Sequence, residues 1–356
     1  MSNIFEVLLV MGCAWSISSI TKTLLKKEKN LISICSILVI IVFLLTILDN
    51  LLRPSFIDLK TLMKIYSITR LSYFLVGPVL LWYLMSLVNK DFKITKKSLI
   101  HLLPFIFWFI YVSFDPNSLN PKIVYGAVVE SDSPHILPIF NFSFFWDLSL
   151  NLSRVLYSLY MVFIIQKYKE VIKGEYSTID NKNNLKWIKI LIITYTLFFI
   201  INSILHIILN ESNVFYQNYS AFIRSVPAVL FVFFFSLYSE VQPKLIKVNK
   251  EEIKIIESDN KKEEKYKKSG LSDDECKQIF SKICEKMESE KYYLDSELTL
   301  NLLSEKLGIS RHKVSEAINK EAGVKFYKFI NGYRLEAFIE AIKTDKYPNF
   351  TILAIS

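Results

Sequence analysis

The side chains best suited by type and spacing to recognise another macromolecule lie in the segment ISRHKVSEAINK, which ends at Lys320. If a helix begins after Ser310, then Val314, Ala317 and Ile318 share one apolar face. The polar residues left on the other faces are Arg311, His312, Lys313, Ser315, Glu316, Asn319 and Lys320. Side chains of these types bond to base edges and to phosphates, so this face could meet the major groove of DNA.

A second short helix and a tight turn are predicted just before this segment. Leu300, Leu303 and Leu307 recur at i, i+3 and i+7, which places them on one helix face. Gly308 follows where the turn requires a positive φ, and Ser310 is a good N-cap for the next helix. The pattern is that of a helix-turn-helix, although such helix pairs also occur in proteins that never bind DNA.

The chain from Asp295 to Ser356 resembles the DNA-binding domain of AraC-type transcription regulators, through TLNLLSEKLGISRHKVSEAINKEAG and INGYRLEAF. In that family one long helix joins two helix-turn-helix units. Phe326 to Ile342 matches the joining helix, and Thr351 to Ser356 resembles the opening of the second unit. Because the sequence ends there, we expect an incomplete domain that lacks its second recognition helix.

The resemblance also implies roles for the polar residues. The base-reading positions of the family correspond to His312, Ser315 and Glu316, and double-stranded DNA would be the partner. Arg311, Lys313 and Lys320 are placed to contact phosphates. Net charge does not support DNA binding, because residues 271–356 hold 13 Lys or Arg and 14 Asp or Glu. Residues 296–356 alone have a net charge of +2.

The chain as a whole is too apolar for an ordinary soluble protein. Of its 356 residues 52% are hydrophobic, 27 are Phe, and the mean hydropathy is +0.31. A membrane-spanning helix needs about 20 mostly apolar residues. Seven runs qualify, with the fourth the shortest: Phe5–Leu25, Leu31–Leu52, Ile65–Val88, Ser98–Phe114, Phe142–Ile165, Trp187–Leu209 and Tyr219–Ser239.

Lysine placement predicts the orientation of these spans in a cytoplasmic membrane. The loops after the first, third and fifth spans are rich in lysine, whereas the fourth loop has only Lys122 and the sixth has none. The second loop, with Arg53, Lys60 and Lys64, argues weakly the other way. We therefore expect a multi-pass inner-membrane protein with its N-terminus outside and its C-terminus in the cytoplasm.

Several polar residues fall within the predicted spans, in their outer halves. Ionisable groups in a bilayer usually face the bundle interior or a water-filled cavity. They either pair helices with one another or form a site that senses a small-molecule or envelope signal. The set is Asp49, Arg70, Asp147, Asn151, Arg154, Asn202, His206 and Arg224.

The predicted fold is all-α, with three parts. Residues 1–240 form a seven-helix transmembrane domain, and residues 241–270 form a charged linker or an extended helix. Residues 271–356 form the AraC-like domain, in which Leu271–Asp295 is expected to be a helix that packs against the helix-turn-helix.

The sequence has no phosphate-binding glycine loop, no His-Glu-x-x-His and no Cys pair at two-residue spacing. We therefore expect no enzyme activity, no cofactor and no metal. Cys13, Cys35, Cys276 and Cys284 are expected to be buried free thiols.

The leading hypothesis is a membrane-bound one-component transcription regulator, with a second copy of the chain as a candidate partner. The alternative is a seven-helix receptor or transporter whose shortened C-terminal module binds a protein. A third reading is a non-functional fragment of such a regulator.

Topology gives the first prediction. Reporters that require the periplasm should be active when fused after Asp132 and inactive after Asn181 or Lys262, because lysine-rich loops stay in the cytoplasm. Activity after Lys262 would be incompatible with DNA binding by the C-terminal domain.

Overall fold

A computed structural model describes residues 2–26, 30–51, 69, 71–89, 91–114, 142–177, 185–209, 214–241 and 271–344. These residues contain eleven α-helices and no strand, so the predicted all-α class is confirmed for this part of the chain. Residues 242–270 of the predicted linker and the predicted start of a second helix-turn-helix, Thr351–Ser356, lie outside the described residues.

Of the described helices, seven precede the linker. They are α1 (Ser2–Leu24), α2 (Leu31–Leu51), α3 (Val76–Val88), α4 (Leu103–Phe114), α5 (Phe142–Glu175), α6 (Lys186–Leu209) and α7 (Val214–Val241). Turns of 3₁₀-helix, Ser72–Leu75 and Lys96–Leu102, lead into α3 and α4. The other four described helices follow the linker: α8 (Asp273–Ser289), α9 (Leu300–Leu307), α10 (Arg311–Glu321) and α11 (Phe326–Lys343).

The chain divides into two compact units. The first comprises Met1–Ile165 and Leu185–Lys247, and the second comprises Gln166–Asn184 and Val248–Ser356. The second unit therefore includes a segment from the middle of the chain, which the sequence did not indicate.

Three described helical segments are long and apolar enough to cross a membrane, namely Glu6–Leu24, Leu31–Leu48 and Leu148–Glu175. They correspond to the first, second and fifth predicted spans, so a bundle of seven spans is not confirmed. The third predicted span contains a 3₁₀ turn before α3, which has 13 residues. The fourth likewise begins as a 3₁₀ turn, and α4 has only 12 residues.

Helix α5 is longer than predicted, because it ends at Glu175 rather than at Ile165. The apolar spacing continues beyond the membrane-length run, and Val171 and Ile172 are buried. The lysines assigned to a cytoplasmic loop at Lys167, Lys169 and Lys173 therefore lie on this helix.

Within the first unit, α1 and α7 run in the same direction. The Trp15 indole Nε1 donates to the Ser236 hydroxyl at 2.6 Å, and further along both helices the Lys22 ammonium meets the Glu240 carboxylate at 2.5 Å. The C-terminal ends of α1 and α7 consequently lie side by side.

The second unit has its own apolar core, to which α8, α9, α10 and α11 all contribute. This confirms that the helix beginning near Leu271 packs against the helix-turn-helix. The buried members are Cys276, Ile283, Met287, Leu298, Leu300, Leu303, Leu307, Val314, Ala317, Ile318, Phe326, Phe329 and Ile330.

The expectation of four buried thiols is wrong at one position. Cys13, Cys35 and Cys276 are buried, but Cys284 is only partly buried at the edge of the second core. Cys284 lies on the same helix as Cys276, where the helix surface turns from the core toward solvent.

The turn between α9 and α10 has the predicted geometry. Gly308 adopts φ 65°, in the left-handed region, and its N–H donates to the carbonyls of Ser304 and Glu305. Thr299 caps the other end of α9, where its hydroxyl accepts from the Leu302 N–H at 3.1 Å. Both ends of this eight-residue helix are thus satisfied locally.

Leu303→Ala should lower the free energy of unfolding of the second unit by about 2–5 kcal/mol, because the fully buried side chain leaves a cavity. Hydrogen exchange of the α9 and α10 amides in the full-length chain measures this. Leu335→Ala on α11 is the matched control, since Leu335 is 57% exposed. Equal effects of the two substitutions would show that the core is not organised around α9.

Candidate nucleic-acid interface

Helix α10 presents a continuous polar face. His312, Ser315, Glu316 and Asn319 recur at i, i+3, i+4 and i+7, and of these His312 and Asn319 are exposed while Ser315 and Glu316 are half-buried. The His312 Nδ1 lies 3.6 Å from a Glu316 carboxylate oxygen, and the Asn319 amide lies 3.5 Å from the Ser315 hydroxyl. This face has both hydrogen-bond donors and acceptors.

The predicted start of α10 is confirmed in position but not in its capping bond. Ser310 has an extended backbone, with φ −60° and ψ 141°, and stands immediately before the helix. Its side chain makes no capping hydrogen bond. The first turn of α10 is instead attached through the side chain of its first residue, Arg311.

Arg311 was predicted to point outward toward phosphate, but its side chain is only 22% exposed. Its guanidinium pairs with the carboxylate of Glu175, and the Nε lies 3.2 Å from one of the two oxygens. The pair lies within the second unit, because Glu175 belongs to the segment Gln166–Asn184. Burial lowers the pKa of the Arg311 guanidinium from its ordinary value.

Lys320, at the opposite end of α10, is paired in a different environment. Its ammonium lies 2.5 Å from the Asp273 carboxylate at the start of α8, and both side chains are well exposed. The hydrogen bond to Lys320 holds the pKa of Asp273 below its usual value. Lys313, the third cation predicted to contact phosphate, is exposed.

The residues that follow Glu175 are fixed against the second core through their backbone. We call Glu175–Ser177 the docking segment. Tyr176 forms an antiparallel bridge with Thr299, and the Ser177 N–H donates to the Leu298 carbonyl at 3.2 Å. Ser177 is fully buried.

Arg334 of α11 holds the same segment from the other side. Its Nη1 donates to the Ser177 carbonyl at 3.0 Å, and its Nη2 donates to the Ser177 hydroxyl at 3.0 Å. The carbonyls of Tyr293 and Asp295 accept from the Nε and Nη2 at 2.6 and 2.7 Å. One guanidinium therefore joins three separate parts of the chain.

Sequence reasoning missed Glu175, Ser177, Arg334 and Asp273 as parts of this surface. No local pattern marks Glu175 or Ser177, since their partners lie more than a hundred residues away. The only available signal was the apolar spacing beyond Ile165, which indicated that α5 continues.

The structure brings together two of the residues predicted to sense a signal. The Asn151 amide donates to the Ser203 hydroxyl at 2.8 Å, and the Arg154 Nη1 lies 3.4 Å from the Asn151 carbonyl oxygen. The Arg154 guanidinium lies over the Phe199 ring, 4.2 Å from its centroid. Its Nε is buried and has no hydrogen-bond partner among the described residues.

The other residues predicted to sense a signal are not tested. Arg70 lies outside the described residues, and the remaining ones lie on described helices with undescribed side chains: Asp49, Asp147, Asn202, His206 and Arg224. Separately, a cavity of about 450 Å³ opens beside α5, lined by Leu152, Leu156 and Tyr160 among others. Neither Asn151 nor Arg154 lines it.

Within the part of the chain that the structure describes, no group of three or more His, Cys, Asp or Glu could hold a metal ion. Comparison with models of protein families, with curated proteins and with solved structures finds no match to this chain. The resemblance to AraC-type regulators therefore stays a prediction from the residues.

Arg334→Lys should loosen the docking segment, because one ammonium cannot reproduce the planar fork that bonds Ser177 and two further carbonyls. We expect faster hydrogen exchange of the Tyr176 and Ser177 amides in the full-length chain. Lys343→Ala, an exposed change on the same helix, should leave this exchange unchanged. Unaltered exchange in Arg334→Lys would mean that the backbone contacts hold the segment without Arg334.

Proposed function

We propose that the chain is a membrane-bound one-component transcription regulator. In this proposal a seven-helix transmembrane domain receives a signal, and the second unit binds double-stranded DNA in the cytoplasm through α10. The family to which we assign the second unit is that of the AraC-type regulators.

The observation that carries the proposal is the geometry of α9, the Gly308 turn and α10. Two short helices share an apolar core, and the second of them carries His312, Ser315, Glu316 and Asn319 on its polar face, where His312 and Asn319 are exposed. A helix presented in this way is what enters the major groove in helix-turn-helix proteins. His can donate to a purine, and Glu can accept from a cytosine amino group.

The long helix after α10 supports the assignment to this family. The joining helix was expected at Phe326–Ile342, and α11 covers Phe326–Lys343. Phe326, Phe329 and Ile330 anchor its first turns in the core shared with α9 and α10. The rest of α11 carries exposed residues such as Leu335 and Ile339, as expected for a helix that leads to another element.

The direction of α1 and α7 supports an odd number of spans. The two helices run parallel, so in a membrane both would cross from the same side. With five spans between them this is the result expected for seven, whereas an even number of intervening spans would make them antiparallel. If the N-terminus is outside, the end of α7 and the part of the second unit that follows it are in the cytoplasm.

The contacts of Arg154 favour the fifth and sixth spans as the place of signal reception. A guanidinium over an aromatic ring, with a buried nitrogen that lacks a described acceptor, is costly inside a bilayer. Such a group is retained either because it pairs helices or because it binds a polar ligand.

The test uses the full-length chain in lipid nanodiscs and a pool of duplex DNA with a randomised core. We expect the wild-type chain to enrich one sequence. His312→Ala and Glu316→Ala should each relax the preference at one base pair by about 5- to 150-fold, the equivalent of a lost base contact. Sequencing of the bound fraction measures this.

Lys313→Ala provides the contrasting variant. It should weaken binding to all sequences alike and reduce the slope of log affinity against log salt by about one unit. If the wild-type chain enriches no sequence at any salt concentration, α10 is not a recognition helix, and a module that binds a protein partner becomes the better account.

A further inference from the structure

The ion pair between Arg311 and Glu175 has a consequence for the proposed DNA-binding face. Arg311 is the first residue of α10, where the backbone N–H groups and the helix dipole favour a phosphate. In the structure the carboxylate of Glu175 is bound to the Arg311 guanidinium, which is the group that this phosphate would bind. A phosphate must therefore displace Glu175 before it can bind Arg311.

The strength of this competition depends on burial. Glu175 is 5% exposed, and the guanidinium contacts both of its carboxylate oxygens, the paired geometry that makes such bonds strong. Lys320 and Asp273 are both solvated, so water and salt weaken that pair. Of these two pairs on α10, the one between Arg311 and Glu175 is the less exposed to solvent and is weakened less by salt.

Glu175 is held in place by contacts that do not involve its own charge. Ser177 bonds to Leu298, Asn331 and Arg334, and Tyr176 bridges to Thr299. These contacts fix the docking segment beside α10 even if the carboxylate is removed. The segment and the ion pair are therefore separable by mutation.

We propose that the docking segment is an autoinhibitory clamp: docked, it keeps Arg311 from the DNA phosphate backbone, and its release frees Arg311 to bind. The proposal rests on the function proposed above. Glu175 is the last residue of α5, and the candidate membrane span Leu148–Glu175 ends at the same residue. A displacement of this helix along or about its axis would move the carboxylate away from Arg311, which gives the proposed sensor a direct mechanical route to α10.

The test compares Glu175→Gln with the wild-type chain, both full-length in lipid nanodiscs, on the duplex that the wild type enriches. One additional phosphate contact contributes a factor of about five to affinity at physiological salt and steepens the salt slope by about 0.9. We therefore expect Glu175→Gln to bind about fivefold more tightly with a steeper slope and an unchanged base preference. Glu170→Gln removes the same charge from an exposed position on α5 and should change neither quantity.

A double-mutant cycle assigns the effect to the pair. In an Arg311→Ala background, Glu175→Gln should no longer raise affinity, because the cation that it frees is absent. An equal gain in both backgrounds would mean that Glu175 acts by general repulsion of DNA, and it would overturn the clamp. Hydrogen exchange should show the Ser177 amide still protected in Glu175→Gln, and loss of that protection on addition of DNA to the wild type.

The outcomes separate this proposal from the one on which it rests. If the wild type enriches a sequence while Glu175→Gln binds it no more tightly than Glu170→Gln, the clamp is wrong and the proposed function stands. If neither the wild type nor any variant enriches a sequence, the proposed function fails, and the clamp fails with it.

Discussion

The second unit depends on one constraint: its two central helices are too short to exist alone. Helices of eight and eleven residues fall below the length of about 12–15 residues at which isolated helices become even marginally stable in water. Burial of Leu303, Val314 and Ala317 against α8 and α11 must therefore supply what local propensity cannot. The polar face of α10 has a defined orientation only because its opposite face is packed in this core.

The same constraint explains the density of hydrogen bonds around Arg334. The docking segment carries a fully buried Ser177, whose polar groups would be costly without partners. The backbone of Leu298 satisfies the N–H, and Asn331 and Arg334 satisfy the carbonyl. Arg334 also bonds to the carbonyls of Tyr293 and Asp295, so it joins the docking segment to the residues that precede α9. The segment is thus integrated into the second unit, although it is distant in sequence.

Features that depend on residues close together in the sequence could be predicted, whereas contacts between residues far apart in the sequence could not. The spacing of Leu300, Leu303 and Leu307 is enough to predict their helix. The glycine at position 308 is enough to predict the turn, because glycine readily adopts a positive φ. Both are local, and the structure confirms both. Glu175 is different, because its burial and its charge partner arise from residues 136 positions away. Apolar content alone predicts the third and fourth spans, and it does not reveal that the described part of each contains a 3₁₀ turn.

The proposed DNA-binding face must meet two opposing demands. It needs cations for phosphate, yet in the absence of DNA a cation near a packed core needs a counter-charge. Asp273 supplies the counter-charge for Lys320 at the surface, where replacing the carboxylate by a phosphate costs little free energy. Glu175 supplies the counter-charge for Arg311 in a half-buried site, where breaking the pair would leave the Arg311 guanidinium poorly solvated. A contact that is stable without DNA and costly to break is suited to control, and α10 has such a contact at Arg311 rather than at Lys320.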